Sequence, residues 1–363
     1  MTSGRPKGPL RRGWTTGACA TAATRAALVG LWGGEFPDPV EIVLPGGQRP
    51  AFALSVQERG PDFARAGVVK DAGDDPDVTH GLVVVSTVRA GPPGSGVTFR
   101  AGEGVGTATL PGLPVGPGEP AINPVPRRMM REAAEDVAGR YGRPPDVEIE
   151  VSIPGGEEVA ARTWNPRLGI VGGLSVLGTT GVVIPYSCSA WIASIHQGVD
   201  LARAAGHEHV AGCTGSTSER AVQRHYGLPD TAMLDMGDFV GGLLKYLRRH
   251  PVPRLTIGGG VAKLSKLAMG HLDLHSGRSQ VSLDWLAGRL AELGATPDVV
   301  QRARGANTAL QVLELSQEAG VPLATDVARV ARDAATEVLG PAPVGVDVLV
   351  VDREGVIVGE SGA

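Results

Sequence analysis

The sequence predicts an N-terminal α+β domain over residues 1–180, then a parallel-sheet α/β domain over residues 181–363 that closes on a C-terminal hairpin. Three observations carry this. A chain of 363 residues exceeds what one hydrophobic core ordinarily holds, so two domains are expected. Its first half alternates valine-rich runs with Gly/Pro turns around one long helical segment, whereas its second half alternates single strands with single helices. The second rhythm is that of a Rossmann-like sheet, because parallel strands need helical crossovers.

In the first half, strands are expected at residues 40–44, 68–69, 82–88, 96–100 and 147–153. A helix is expected over 126–141, where Pro124 and Pro126 suit a helix start because the missing N–H has no partner there in any case. In the second half the expected order is helix 190–205, strand 209–213, helix 219–226, strand 232–234, helix 239–249, strand 254–257 and helix 261–267. Each of these strands runs into a polar or glycine-rich loop, and ligands of open parallel sheets bind beyond such carboxyl ends. Amphipathic helices near 283–293, 307–319 and 325–339 follow. The hairpin pairs 346–351 with 356–358 through a turn ending in Gly355, a residue suited to positive φ. The domain junction is expected near 177–186, where glycines and Pro185 interrupt the pattern.

Composition narrows the partners. Hydrophobic residues are 42% and aromatics 4%, so both cores must be assembled from Ala, Val, Leu and Ile. The 53 glycines are roughly double the usual share of ~7% and imply many tight turns and close backbone approaches. A net charge of −4 with dispersed positive residues excludes a nucleic-acid or membrane-surface stripe and points to a small-molecule partner. Cys19, Cys188 and Cys213 lie far apart, without paired spacing for disulfides or zinc, as in a reduced cytoplasmic protein. Arg11 and Arg12 precede an Ala-rich run in the manner of a twin-arginine export signal, but Thr21, Thr24 and Arg25 interrupt it and an N-capped helix explains the same residues. No apolar stretch reaches the ~20 residues of a membrane span. The Ala/Gly-rich helix at 190–205 would permit a homodimer.

The densest chemistry lies in Lys70-Asp-Ala-Gly-Asp-Asp-Pro-Asp-Val-Thr-His-Gly81, a turn between two valine runs. Aspartates so close are expected to repel and to raise one another's pKa unless cations or amides compensate. Asp75, Asp77 and Thr79 alternate like calcium ligands, yet His80 and Ser86 occupy the places where an EF-hand needs glycine and glutamate. The plain alternative is a solvated Asp/Pro/Gly turn. Thr15 and Thr16 open a helix of small residues, either gripping an anionic group with their hydroxyls or simply capping the helix.

Cys213-Thr-Gly-Ser-Thr-Ser-Glu219 passes from strand to helix, the context of a nucleotide-like cofactor. The expected cofactor-binding residues are Gly212, Thr214, Gly215, Ser216, Asp235, Gly237, Asp238 and Gly258, with the aspartates on ribose hydroxyls or serving only as caps. The loop is neither G-x-G-x-x-G nor a P-loop. Farther on, Lys263, Lys266, His271, His275 and Arg278 form a cationic cluster. The two histidines, four apart, invite a metal reading, but without a third ligand the expected use is recognition of substrate carboxylates, and no protein-bound metal is assigned.

Several blocks, taken together, resemble the CbiD family: Arg12-Gly-Trp-Thr-Thr-Gly-Ala-Cys-Ala20, the segment from Val68 to Gly81, Gly102-Glu-Gly-Val-Gly106, the segment from Gly118 to Arg127, and Asn165-Pro-Arg-Leu-Gly-Ile-Val-Gly-Gly173. The resemblance spans about residues 10–340 and keeps one order. It implies methylation of C-1 of cobalt-precorrin-5B in anaerobic cobalamin biosynthesis, with S-adenosylmethionine as donor and cobalt only within the tetrapyrrole substrate. On that reading Thr15, Thr16, Lys70, Asp77, His80, Arg127, Lys263, His271 and His275 would meet the substrate, and Asp71, Asp74 or Asp75 would adjust its charge or protonation. Two other readings stand beside it: a carrier or scaffold for a corrinoid intermediate, and a phosphoryl-transfer enzyme with Mg²⁺ on Asp74, Asp75 and Asp77. The missing P-loop lysine speaks against the latter.

Overall fold

The computed structural model describes residues Gly8–Gly362. The chain folds as two compact units that divide between Ser187 and Cys188. No helix among the described residues is long and apolar enough to cross a membrane.

In the first unit, β1 (Gly13–Trp14) leads into α1 (Thr16–Gly33). There follow β2 (Val40–Glu41), β3 (Ala51–Phe52), β4 (Val56–Arg59), β5 (Phe63–Val69), β6 (Val83–Ala90), β7 (Val97–Ala101) and β8 (Thr107–Ala108). The unit ends with α2 (Pro124–Arg140), β9 (Val147–Ser152), α3 (Gly156–Ala160), β10 (Ile170–Val171) and β11 (Val182–Val183). Five strands form a sheet in the order β4-β5-β6-β9-β7, with only β7 and β9 parallel. Helix α1 is apolar on nearly every face, and such a helix must be buried. It packs on β5, β6 and α2 and puts six alanines, Cys19 and Leu28 into the core. Its start is fixed by Thr15, whose Oγ1 accepts from the Ala18 amide at 3.2 Å.

The second unit begins with α4 (Cys188–Ala204), β12 (His209–Cys213), α5 (Ser216–Tyr226), a 3₁₀ turn at Asp230–Ala232, β13 (Met233–Leu234) and α6 (Val240–Leu247). It continues through β14 (Arg254–Gly259), α7 (Val261–Ala268), α8 (Leu283–Glu292), α9 (Pro297–Arg304), α10 (Ala309–Glu318), α11 (Leu323–Leu339), β15 (Gly345–Val351) and β16 (Ile357–Glu360). The strand order is β13-β12-β14-β15-β16, parallel except for the antiparallel β15–β16 pair. Alternate residues divide the two faces as a pleat requires. Val210, Leu255, Ile257, Val348 and Val350 join the large core with α6, α7 and α11, while Ala211, Cys213 and Leu349 meet Val222 and Tyr226 of α5.

This order places one crossover on each side of β12. The chain leaves β12 toward β13, returns to pair β14 on the opposite flank, and then moves away through β15. Between β12 and β14 the winding reverses, and such a reversal opens a crevice at the carboxyl ends of the strands.

Candidate functional site

The acidic loop of the first unit is held in place by other parts of that unit. Asp71 is gripped by both terminal nitrogens of Arg11, one at 2.9 Å, and accepts from the Gly73 amide at 2.9 Å. Asp74 accepts from the Arg11 amide at 2.6 Å, and Asp75 from the Tyr186 amide at 2.8 Å. Asp77 receives the Lys70 ammonium, the Thr79 amide at 2.8 Å and the Thr79 hydroxyl at 2.6 Å. These cations and amides are the compensation that carboxylates so close together require. The Arg11 hydrogen bond, aided by the Gly73 amide, lowers Asp71 to about 2. Burial pushes Asp77 upward, but Lys70 and Thr79 outweigh it and the net shift is downward. A carboxyl so low carries no proton at neutral pH, so Asp71 is a fixed charge.

Four of the expected substrate contacts in this unit are buried or held against its own backbone. Lys70 is among the largest fully buried side chains, and its charge is used by Asp77. Arg127 donates to the carbonyls of Ile122 at 2.7 Å and Pro120 at 3.0 Å and pairs with Glu119 at 2.7 Å, clamping the chain that precedes α2. Thr15 and Thr16 are buried, and the first amides of α1 are taken within the unit, Gly17 by the Leu177 carbonyl and Ala18 by Thr15. His80 is exposed, and its Nδ1 accepts from the Ala72 amide at 3.1 Å, which puts the proton of the neutral ring on Nε2.

In the second unit an open cleft of about 480 Å³ lies where the winding reverses. It is lined by Thr214 through Ser218, by Gly260–Ala262 at the start of α7, by Leu310 and Leu313 of α10, and by Val351, Asp352 and Arg353. Two helix N-termini meet in it. Neither Gly215 before α5 nor Gly260 before α7 supplies a side-chain cap, so the leading amides have no intrahelical partner and offer donors to an anionic group. A Cβ built on Gly215 meets nothing within 4 Å.

Of the expected cofactor residues, Thr214, Gly215 and Ser216 line this cleft and the other five do not. Gly212 and Gly258 are required by packing: a Cβ would stand 2.6 Å from Leu243 Cδ2 in the first case and 2.6 Å from Val222 Cγ2 in the second. Gly237 turns the chain at φ +53°. Asp235 ends the strand segment after β13, its carbonyl accepting from the Trp191 indole at 2.8 Å, and Asp238 is bonded to Lys263. Leu310, Leu313, Asp352 and Arg353 escaped the sequence reading, since α10 reads as an ordinary amphipathic helix and Asp352 as a turn residue.

The cationic cluster is partly neutralised. Lys263 serves Asp238 and the Leu274 carbonyl, and Lys266, buried and with its pKa lowered by that burial, donates to the same carbonyl at 3.0 Å. His271 and His275 are exposed on an irregular segment between α7 and α8, so their spacing of four does not place them on one helical face. Among the described residues no group of three or more His, Cys, Asp or Glu is placed to hold a metal ion.

A doubly wound unit with an open cleft at its winding reversal, preceded in the chain by an α+β unit, places this chain in the class of α/β folds whose small-molecule sites characteristically lie beyond the strand ends. Residues 3–185 match the family described as CbiD, and residues 273–362 match CbiD, C-terminal domain. The chain belongs to the CbiD family. A protein of Paramagnetospirillum magneticum is 62% identical over 97% of this chain and 98% of its own length. One of Rhodospirillum rubrum is 65% identical over 97% and 98%, and one of Brucella anthropi 62% identical over 96% and 95%. Each is named cobalt-precorrin-5B C(1)-methyltransferase. A crystal structure of the cobalamin biosynthesis protein CbiD from Archaeoglobus fulgidus matches at 25% identity with a TM-score of 0.41, over 87% of this chain and 86% of that one.

Proposed function

We propose that this chain is an S-adenosylmethionine-dependent C-methyltransferase that methylates C-1 of cobalt-precorrin-5B, giving cobalt-precorrin-6A in anaerobic cobalamin biosynthesis. Family membership and full-length identity to enzymes of that name supply the reaction. The observation that carries the donor's placement is the cleft at the winding reversal, which combines unpartnered helix amides, hydroxyls, an apolar wall and one acid. The donor's methionine carboxylate suits the amides of α5, and its adenine suits Leu310, Leu313 and Val351.

In the transfer, the electron-rich ring carbon attacks the donor methyl along the axis of the breaking C–S bond. That bond's electron pair stays on sulfur, and S-adenosylhomocysteine leaves. No covalent enzyme intermediate is needed. The protein orients the two reactants and keeps water out, effects worth ~7–11 kcal/mol in well-aligned systems. We place the acceptor with the N-terminal unit, where Asp74 and Asp75 present carboxylates fixed by backbone amides and His80 is exposed.

Calorimetric titration with S-adenosylhomocysteine tests the donor site. Gly215→Leu adds bulk where the structure leaves open space and strains no backbone, because φ there is 176°. Micromolar binding by the native protein, lost in Gly215→Leu at unchanged melting temperature, is expected. Equal binding by both would move the donor out of this cleft.

A further inference from the structure

We infer that Asp352 is the carboxylate that holds the ribose hydroxyls of the methyl donor, an assignment that rests on the donor reading above. In a doubly wound sheet this acid usually follows the strand after the glycine loop's helix. Here that strand is β13, and Asp235 and Asp238 follow it. Neither lines the cleft, and Asp238 is already bonded to Lys263. Asp352 does line it, one residue beyond the end of β15.

Its carboxylate is oriented before any ligand arrives. Oδ1 accepts from the Val356 amide at 2.8 Å, the Asp352 amide donates to the Val356 carbonyl at 3.0 Å, and Gly355 closes the turn at φ +85°. A fixed acceptor costs a ligand less ordering than a mobile one. The surroundings suit the rest of the nucleoside, with Leu310, Leu313 and Val351 offering apolar surface to a flat base. The negative charge of Asp352 also suits a ligand that carries a sulfonium. A sugar diol donates two hydrogen bonds, and a carboxylate accepts both where a neutral amide accepts them poorly.

The test compares native protein, Asp352→Asn and Asp235→Asn in titrations with S-adenosylhomocysteine and with its 2′,3′-dideoxy analogue. Asparagine retains an oxygen for the Val356 amide, so the turn is kept while the charge is removed. Asp352→Asn is expected to weaken S-adenosylhomocysteine by about tenfold to a hundredfold, the worth of hydrogen bonds to a charged group. It should leave the dideoxy analogue and the melting temperature unchanged. Equal S-adenosylhomocysteine affinity in native protein and Asp352→Asn overturns the assignment, as does a diol-selective loss confined to Asp235→Asn, and both outcomes leave the donor reading standing. Failure of the native protein to bind S-adenosylhomocysteine at all overturns both.

Discussion

The Lys70 ammonium is buried against the Asp77 carboxylate, with the lysine side chain 2% exposed and the aspartate 25%. The two residues stand seven apart, at the start and middle of the acidic loop, and the backbone closes the loop's neck, because the Lys70 amide donates to the Leu82 carbonyl and the Gly81 amide to the Lys70 carbonyl, each at 2.8 Å. Removing one partner of a fully buried pair costs about 3–5 kcal/mol, since the other charge stays behind desolvated. Asp77 keeps some contact with water, so Lys70→Met is expected to cost about 2–3 kcal/mol. Urea unfolding measures it. A change below about 0.5 kcal/mol, the range of ordinary surface substitutions, would show that the pair does not brace the loop.

Asp71 gives the loop a pH dependence of definite sign. Its pKa is lowered to about 2 in the folded protein, against ~3.9 for an unperturbed aspartate. A depressed folded pKa contributes stability that is present above the unfolded value and lost as pH falls toward the folded one. The Arg11–Asp71 contribution is therefore expected to be whole above about pH 5 and to fade between about pH 4 and 2. Both side chains are substantially exposed, 58% and 42%, so water screens the pair and its share of stability is small. The cleaner measurement is the Asp71 carboxyl titration by NMR. Arg11→Gln should return it toward the ordinary aspartate range, and a titration unmoved by that change would rule Arg11 out as the cause.

The three cysteines divide by environment. Burial raises the thiols of Cys19 and Cys213 to about 12, whereas Cys188 is exposed at the start of α4. The thiolate is the reactive species. At pH 8 the native protein is expected to give one rapidly labelled thiol with a water-soluble disulfide reagent, and three after unfolding. Rapid labelling of Cys213 in the native state would mean that β12 and α5 part more readily than their packing implies.

Local pattern made the skeleton legible where elements carry their own signals. Strand β12 and helix α7 fall where valine content, glycine and period place them, and α2 starts at the prolines. Polar strands were not legible: β4 (Val-Gln-Glu-Arg) has one β-branched residue and the first half of β5 (Phe-Ala-Arg-Ala) none, and sheet neighbours hold them. Helix α9 was passed over although Thr296 and Pro297 cap it, because eight residues give too short a period to register. The loop's charge was visible, but its neutralisation was not. Arg11 lies 60 residues from Asp71 and Tyr186 lies 111 from Asp75, separations that no spacing rule spans. The loop between β12 and α5 was legible from its strand-to-helix context, while the cleft walls contributed by α10 and the β15 turn are joined to it only by the sheet order.

Gly212 and Gly215 stand three residues apart and serve opposite needs, which one pair of substitutions can separate. A Cβ on Gly212 would lie 2.6 Å from Leu243 Cδ2 and 3.0 Å from Met236 Sδ, inside the large core. Leu243 Cδ2 ends its side chain and Met236 Sδ sits one atom from the end of a flexible one, so Gly212→Ala is expected to fold with strain, at the typical cost of about 1–3 kcal/mol for overpacking. Its affinity for S-adenosylhomocysteine should be unchanged, because the added methyl points away from the cleft. Gly215→Leu should behave in the reverse way, with stability kept and affinity lost, since the space beside it is open and belongs to the cleft. Thermal unfolding and calorimetric titration on the two variants read both quantities. If Gly212→Ala lost affinity without losing stability, the donor would lie on the α6 side of β12, and the cleft between β12 and β14 would need another occupant.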